Sequence, residues 1–119
     1  MSNASLQALV GGRVYDGPPR DPAFPYLSFG PGYGVDEGGD DLDAEDVTIQ
    51  VDIWCDDQQR RGPCSDLVDL VREIFQRQSL DLDFPFSASA VRVPVKRVML
   101  DPSGYVHGVV QITAFVERL

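Results

Sequence analysis

The sequence predicts an α+β domain: a mainly antiparallel β-sheet with one main α-helix and an N-terminal helix remnant packed on one face, closed by a C-terminal β-hairpin. Three observations carry that expectation. The run Asp46-Val47-Thr48-Ile49-Gln50-Val51-Asp52-Ile53-Trp54 alternates strictly, so Val47, Ile49, Val51 and Ile53 face one side while Thr48, Gln50, Asp52 and Trp54 face the other. A helical stripe follows this strand. The last third of the chain alternates again on either side of an Asp-Pro-Ser-Gly turn.

Taken in order, Met1-Ser2-Asn3-Ala4 reads as a start followed by the remnant of a cleaved tag, leaving one domain over 5–119. Residues 5–10, with Leu6, Leu9 and Val10, read as the last turns of a helix that Gly11-Gly12 would end. Arg13-Val14-Tyr15 is a short extended piece, stopped by Asp16-Gly17-Pro18-Pro19. Residues 24–30 predict a strand, with Pro25 near its start as at a sheet edge. Residues 31–46 are rich in glycine and acid. Asp36, Glu37, Asp40, Asp41, Asp43, Glu45 and Asp46 place seven carboxylates in eleven positions, which predicts a long flexible loop.

After the alternating strand, residues 56–61 form a polar turn, and Pro63 suits the first position of a helix. Leu67, Leu70, Val71, Ile74 and Phe75 recur at helical spacing, with Asp66 and Asp69 toward the positive end and Arg72 and Arg77 toward the negative one. That helix is expected to finish near Ser79, and residues 80–85 lead out of it. Val91, Val93 and Val95 alternate, then Val98 and Leu100 continue on shifted parity, so a bulge is expected at Lys96-Arg97. Asp101-Pro102-Ser103-Gly104 suits a type I turn. The return strand carries Val106, Val110, Ile112, Ala114 and Val116 on one face, and Tyr105, Val109, Thr113 and Phe115 on the other. A strand apolar on both faces is either central or covered by a neighbouring subunit.

Composition narrows the function. At 119 residues and 43% hydrophobic the chain fits one globular domain, and a cytoplasmic product is the simplest expectation, since no apolar run approaches a bilayer span or a signal peptide. The formal charge of -9, with Lys96 the sole lysine, argues against a nucleic-acid-binding surface, because phosphate binding is driven by Lys and Arg. Such a protein can still work beside DNA if its task is to avoid adhering to it. Cys55 and Cys64 do not form a Cys-x-x-Cys pair and read as two reduced, partly buried thiols.

The residues of an enzyme are missing. His107 is the only histidine, with no evident nucleophile or partner ligands, and reads as a hairpin-end side chain. Ser87-Ala88-Ser89 has no nucleophile-elbow context and reads as loop. Asp41, Asp43 and Glu45 alternate as calcium ligands do, but the glycine and glutamate an EF-hand requires are absent. No phosphate loop occurs, and the glycines at 30, 32, 34, 38 and 39 sit among acids that would repel a phosphate. No catalytic residue, metal ligand or cofactor is expected.

Four segments then point to a family: Leu9-Val10-Gly11-Gly12-Arg13-Val14-Tyr15-Asp16, Phe24-Pro25-Tyr26-Leu27, Val47-Thr48-Ile49-Gln50-Val51-Asp52-Ile53-Trp54, and Leu100-Asp101-Pro102-Ser103-Gly104-Tyr105-Val106-His107-Gly108. In their order and spacing they resemble the tail completion proteins of long-tailed bacteriophages and gene transfer agents, also called tail terminator or head–tail joining proteins. The resemblance covers the chain from Leu6 onward. It implies an α+β fold without catalytic activity and a ring, usually of six subunits, on the head-proximal end of the tail tube. That ring stops tube growth and receives the head connector. The implied partners are other copies, a tail tube protein and a head-completion protein, with DNA passing unbound, no membrane, and assembly into a virion in the host cytoplasm. Family members usually carry a longer amphipathic helix before the Leu-x-x-Leu-Val-like segment, where this sequence keeps only a stub.

Two candidate surfaces follow. The acidic segment, Asp36, Glu37, Asp40, Asp41, Asp43, Glu45 and Asp46, is the candidate lumen or tube-facing element, because an acidic passage lets a duplex slide; a solubilising loop is the alternative. Tyr105, Val109 and Phe115 are candidate subunit contacts, or pack within the chain. The competing function is a small α+β ligand-binding or regulatory domain with no phage role, which predicts an apolar pocket lined by Tyr26, Phe29 and Trp54. A hydrolase with carboxylates in the acidic loop ranks last, since flexible acids are poorly preorganised.

Overall fold

The computed structural model describes residues 12–17, 20–56, 58, 60–76 and 82–118, so the expected helix remnant at 5–10 and the expected tag remnant lie outside them. Among the described residues the order is β1 (Val14–Tyr15), β2 (Tyr26–Asp36), β3 (Asp43–Cys55), α1 (Arg61–Phe75), β4 (Phe86–Ala88), β5 (Arg92–Leu100) and β6 (Val106–Arg118). The strands form one sheet in the order β1-β2-β3-β6, and the far side of β6 is shared by β5 along its first part and β4 along its last. Every pairing is antiparallel except the short parallel contact of β1 with β2. A mostly antiparallel sheet with one described helix is α+β, and β6 is its central strand.

The two faces follow from the period of two. Toward the helix, Leu27 of β2, Val51, Ile53 and Cys55 of β3, and Val106 and Val110 of β6 meet Cys64, Leu67, Val68 and Val71 of α1. Those helical residues are spaced three and four apart and make one stripe. Burying each such aliphatic side chain contributes roughly 1.5–3 kcal/mol before conformational entropy is subtracted. Both cysteines are buried in this layer. The helix sits close because Gly108 lies beneath it. A Cβ there would stand 2.5 Å from Val68 Cγ2 and 3.0 Å from Cys64 Sγ. The helix begins at Arg61, two residues earlier than Pro63, so no acid falls in its first turn; Arg72 lies in its last.

The structure corrects three expectations. Residues 31–46 are not a long loop. β2 runs on to Asp36 and β3 starts at Asp43, and Gly32, Tyr33, Gly34, Val35 and Asp36 pair with Ile49, Thr48, Val47, Asp46 and Glu45. The charges do not prevent pairing because in a ladder they project from the faces of the sheet while the backbone supplies the bonds. A register shift between Phe29 and Gly32 resets the strand after Pro31. Second, the bulge in β5 lies between Arg92 and Val95 and not at Lys96-Arg97. Pro94 has no N–H to contribute there. The backbone N–H of Val93 donates instead to Gln76 Oε1 at 2.9 Å. Third, Phe86–Ala88 is strand where loop was expected. It pairs with β6, and Ser89 extends the contact by donating its N–H to Phe115 O (2.8 Å) and accepting the Phe115 N–H on Oγ (2.9 Å).

The opposite face is more polar. Thr48 and Thr113 bond across the ladder at 2.9 Å, both buried. Trp54 stacks on His107 with centroids 4.0 Å apart, and His107 Nε2 lies 2.8 Å from Asp52 Oδ1, which also accepts from Gln50 Nε2 at 2.8 Å. Tyr26 touches Phe24 and Tyr15, and Phe24 stacks on Tyr105. The turn into β6 is closed by the Gly104 N–H to Asp101 O at 2.9 Å, with Gly104 at φ 94°, a conformation that favours glycine. Asp101 accepts from both the backbone N–H and the hydroxyl of Ser103, which holds its carboxyl below the ordinary range.

Two outcomes test this packing. Gly108→Ala is expected to destabilise the fold by about 1–3 kcal/mol, read as a lower denaturant midpoint, because the helix cannot make room for the methyl group without moving. Burial, with Tyr105, Asp52 and Tyr15 adding to it, raises the Tyr26 hydroxyl above its ordinary value. A pKa raised in the folded state gives stability that is complete below the unfolded value of about 10 and declines as pH rises through the folded one. Denaturant titrations in that alkaline window are expected to show a smaller loss for Tyr26→Phe than for the unmodified protein.

Candidate assembly surface

The long axis of the described chain is 53 Å, against 29 and 25 Å across, and the site follows from that shape. The thirteen residues of β3 span about 43 Å at a strand's rise, whereas the fifteen of α1 span about 22 Å. Among the described residues one helix therefore covers only half the length of the sheet. The β2–β3 hairpin and the end of β6 continue past it as an arm.

The acids gather on that arm. Asp36, Asp43 and Glu45 point to the face that carries the helix, Asp46 points to the other, and Glu37, Asp40 and Asp41 belong to the connecting turn. The backbone closes this turn. The Glu37 N–H donates to Ala44 O at 3.0 Å, the Gly39 N–H to Leu42 O at 2.9 Å, and the Gly38 N–H to Asp36 Oδ1 at 2.9 Å. Six of the seven side chains are exposed, and Asp46 is half-buried, 3.6 Å from Arg92. Arg118 stands opposite Asp43. The chain thus brings all seven predicted residues to one end, on an ordered hairpin. Among the described residues no group of three or more His, Cys, Asp or Glu converges as a metal would require.

Beside the acids, where the helix stops, lies an apolar groove of about 270 Å³ lined by Phe29, Val47, Ile49, Phe75, Leu82, Val91, Ile112, Ala114 and Val116. Ile49 is 43% exposed within it. On the opposite face of the arm Tyr33 and Val35 are exposed as well. Sequence reasoning missed the groove. The mismatch between helix length and strand length was the available signal.

The three candidate contact residues do not form one patch. Val109 is 1% exposed and belongs to the interior of its own chain. Tyr105 is at the turn end, stacked on Phe24 with centroids 4.6 Å apart. Phe115 is half-buried, roughly 30 Å further along β6, on the arm. The aromatic pocket predicted for a ligand-binding domain is divided too. Tyr26 and Trp54 border a depression with Phe24 and Tyr105, whereas Phe29 lies on the other face, in the groove.

Comparison with known proteins bears on this arrangement. The chain's fold is similar to that of a solved chain described as "Virion of native gene transfer agent (GTA) particle", with a TM-score of 0.85 and 19% identity, covering 98% of this chain and 87% of that one. At that identity the likeness speaks to the fold. A comparison with curated proteins finds no match. A family model described as "Tail completion protein gp17" matches residues 1–117. With nearly its whole length matched, and with a fold shared with a virion chain, the chain belongs to the tail completion protein gp17 family.

Proposed function

We propose that this chain is a structural component of a phage or phage-like tail that closes with copies of itself, six in this reading, into a ring on the head-proximal end of the tail tube. The ring stops tube growth and offers the head connector a docking surface. It works as a virion part and turns over no substrate. Family membership supports the structural role, and one observation carries the rest: seven carboxylates on an ordered arm that extends beyond the helix-covered core. Arms that line a passage repel a duplex and let it slide. The groove beside them suits the apolar part of a protein contact.

Tail tubes assembled with the purified protein are expected to carry a ring at one end and to stop lengthening, as seen by negative-stain imaging. Tubes that grow on unchanged, with no ring at either end, overturn the role. The passage is tested separately. Replacing Asp43 and Glu45 by Lys is expected to leave the fold intact, since both are exposed. The assembled variant should then retard duplex DNA at low salt where the unmodified ring does not, and the retardation should fade as salt is raised.

A further inference from the structure

Resting on the ring reading above, we infer that neighbouring copies join edge to edge, with β2 of one copy against β5 of the next. The sheet ends in two unlike edges. On one side β1 pairs only with Leu27 and Ser28, so among the described residues no strand lies beyond β2 from Phe29 to Asp36. On the other side β5 pairs with β6 alone. Each edge presents a row of backbone N–H and C=O groups able to accept another strand. The prolines lie at the inner ends, Pro31 in β2 and Pro94 in β5. That leaves residues 32–36 and 95–100 as proline-free stretches of similar length, in which alternate N–H groups face outward.

Charge selects which edges meet. The outer end of β2 and its turn carry Asp36, Glu37, Asp40 and Asp41 with no cation, while β5 carries Arg92, Lys96 and Arg97 with no acid. Two β2 edges repel, as do two β5 edges, so a symmetric pairing of like edges is disfavoured and the unlike pairing is attractive. Within one chain Arg118 lies beside the acids of the β2 turn, whereas Lys96 and Arg97 lie far from them. Arg97 stands opposite Val109 and Asp43 opposite Arg118, about 30 Å apart along β6, well beyond a screening length of about 8 Å. Lys96 lies 2.6 Å from Asp69 and Arg92 lies 3.6 Å from Asp46, but both are surface pairs that exchange partners readily. The exposed Tyr33 and Val35 of β2 then come to rest against the neighbour's Val95 and Met99. A contact between two different surfaces of one protein repeats from copy to copy and closes into a ring when the rotation allows.

Paired charge reversals test this. Glu37→Lys with Asp40→Lys and Asp41→Lys makes one variant, and Lys96→Glu with Arg97→Glu makes the other; all five side chains are exposed, so melting curves should stay near those of the unmodified protein. In sedimentation at low salt each variant alone is expected to self-associate at least about tenfold more weakly, because its two edges now repel. An equimolar mixture should regain association, since copies can alternate with opposite charges at every junction. In the unmodified assembly, the outward-facing backbone amides in 32–36 and 95–100 should gain protection from hydrogen exchange together. Variants that associate as before, a mixture that does not recover, amides that stay unprotected, or an unmodified protein that remains monomeric at every concentration each overturn the edge contact. Tail capping, scored on tubes, is a separate readout, so capping by an assembly with unprotected edges would sink this contact and leave the role standing.

Discussion

The whole structure depends on the ladder between β3 and β6. Thirteen residues pair in unbroken antiparallel register, from Asp43 opposite Arg118 to Cys55 opposite Val106. The two ends of this one element have different duties. At the Cys55 end the strands lie under α1 and form the floor of the core. At the Asp43 end the same strands leave the helix behind and carry the acids. Because side chains alternate along a continuous ladder, the face that buries Val51 and Ile53 is also the face that shows Ile49 and Val47 in the open groove. A one-residue slip would turn the core valines outward, so the floor of the core also determines how the arm displays its charge.

The arm is an unusual place for so much negative charge, and its chemistry reflects that. Like carboxylates at close spacing repel, yet they stand on two faces and a turn, where water screens them. The backbone carries the cohesion: ladder bonds to β3 and the bonds that close the turn at Ala44 and Leu42. Gly34 belongs to the same economy of space, since a Cβ there would stand 2.5 Å from Glu45 Oε2. The result is a carrier for acids built from paired strands in place of a long loop. The pairing sets the position of the charge relative to the core, as a surface built for assembly requires.

Much of the fold was legible in local pattern. The alternation of residues 46–54 lies within β3, the stripe at Leu67 and Val71 within α1, and the two-faced apolar pattern of residues 106–116 within the central β6. Each of these segments buries a face, and burial imposes a period on sequence. Where nothing is buried, no period is imposed. Residues 31–36 read as loop because Tyr33 and Val35 alternate only with glycines and stay exposed, although the backbone pairs from Gly32 to Asp36. The bulge was misplaced for a related reason. Parity showed that a shift had occurred, but the missing N–H of Pro94 and the side chain of Gln76 decided where it fell. The candidate site was legible in part: the acids were visible as a cluster, their placement on a hairpin was not, and Val109 proved to belong to the core.

By itself the sequence determined the class of fold, the strong negative charge and the resemblance to tail completion proteins, all of which reside in residue types and short-range spacing. Tertiary structure alone decided that the acids ride on paired strands, that the helix stops short of the sheet's end, and that unlike charges occupy opposite edges. Those facts depend on which strands become neighbours and on the unequal rise of helix and strand. Neither is written in any single segment.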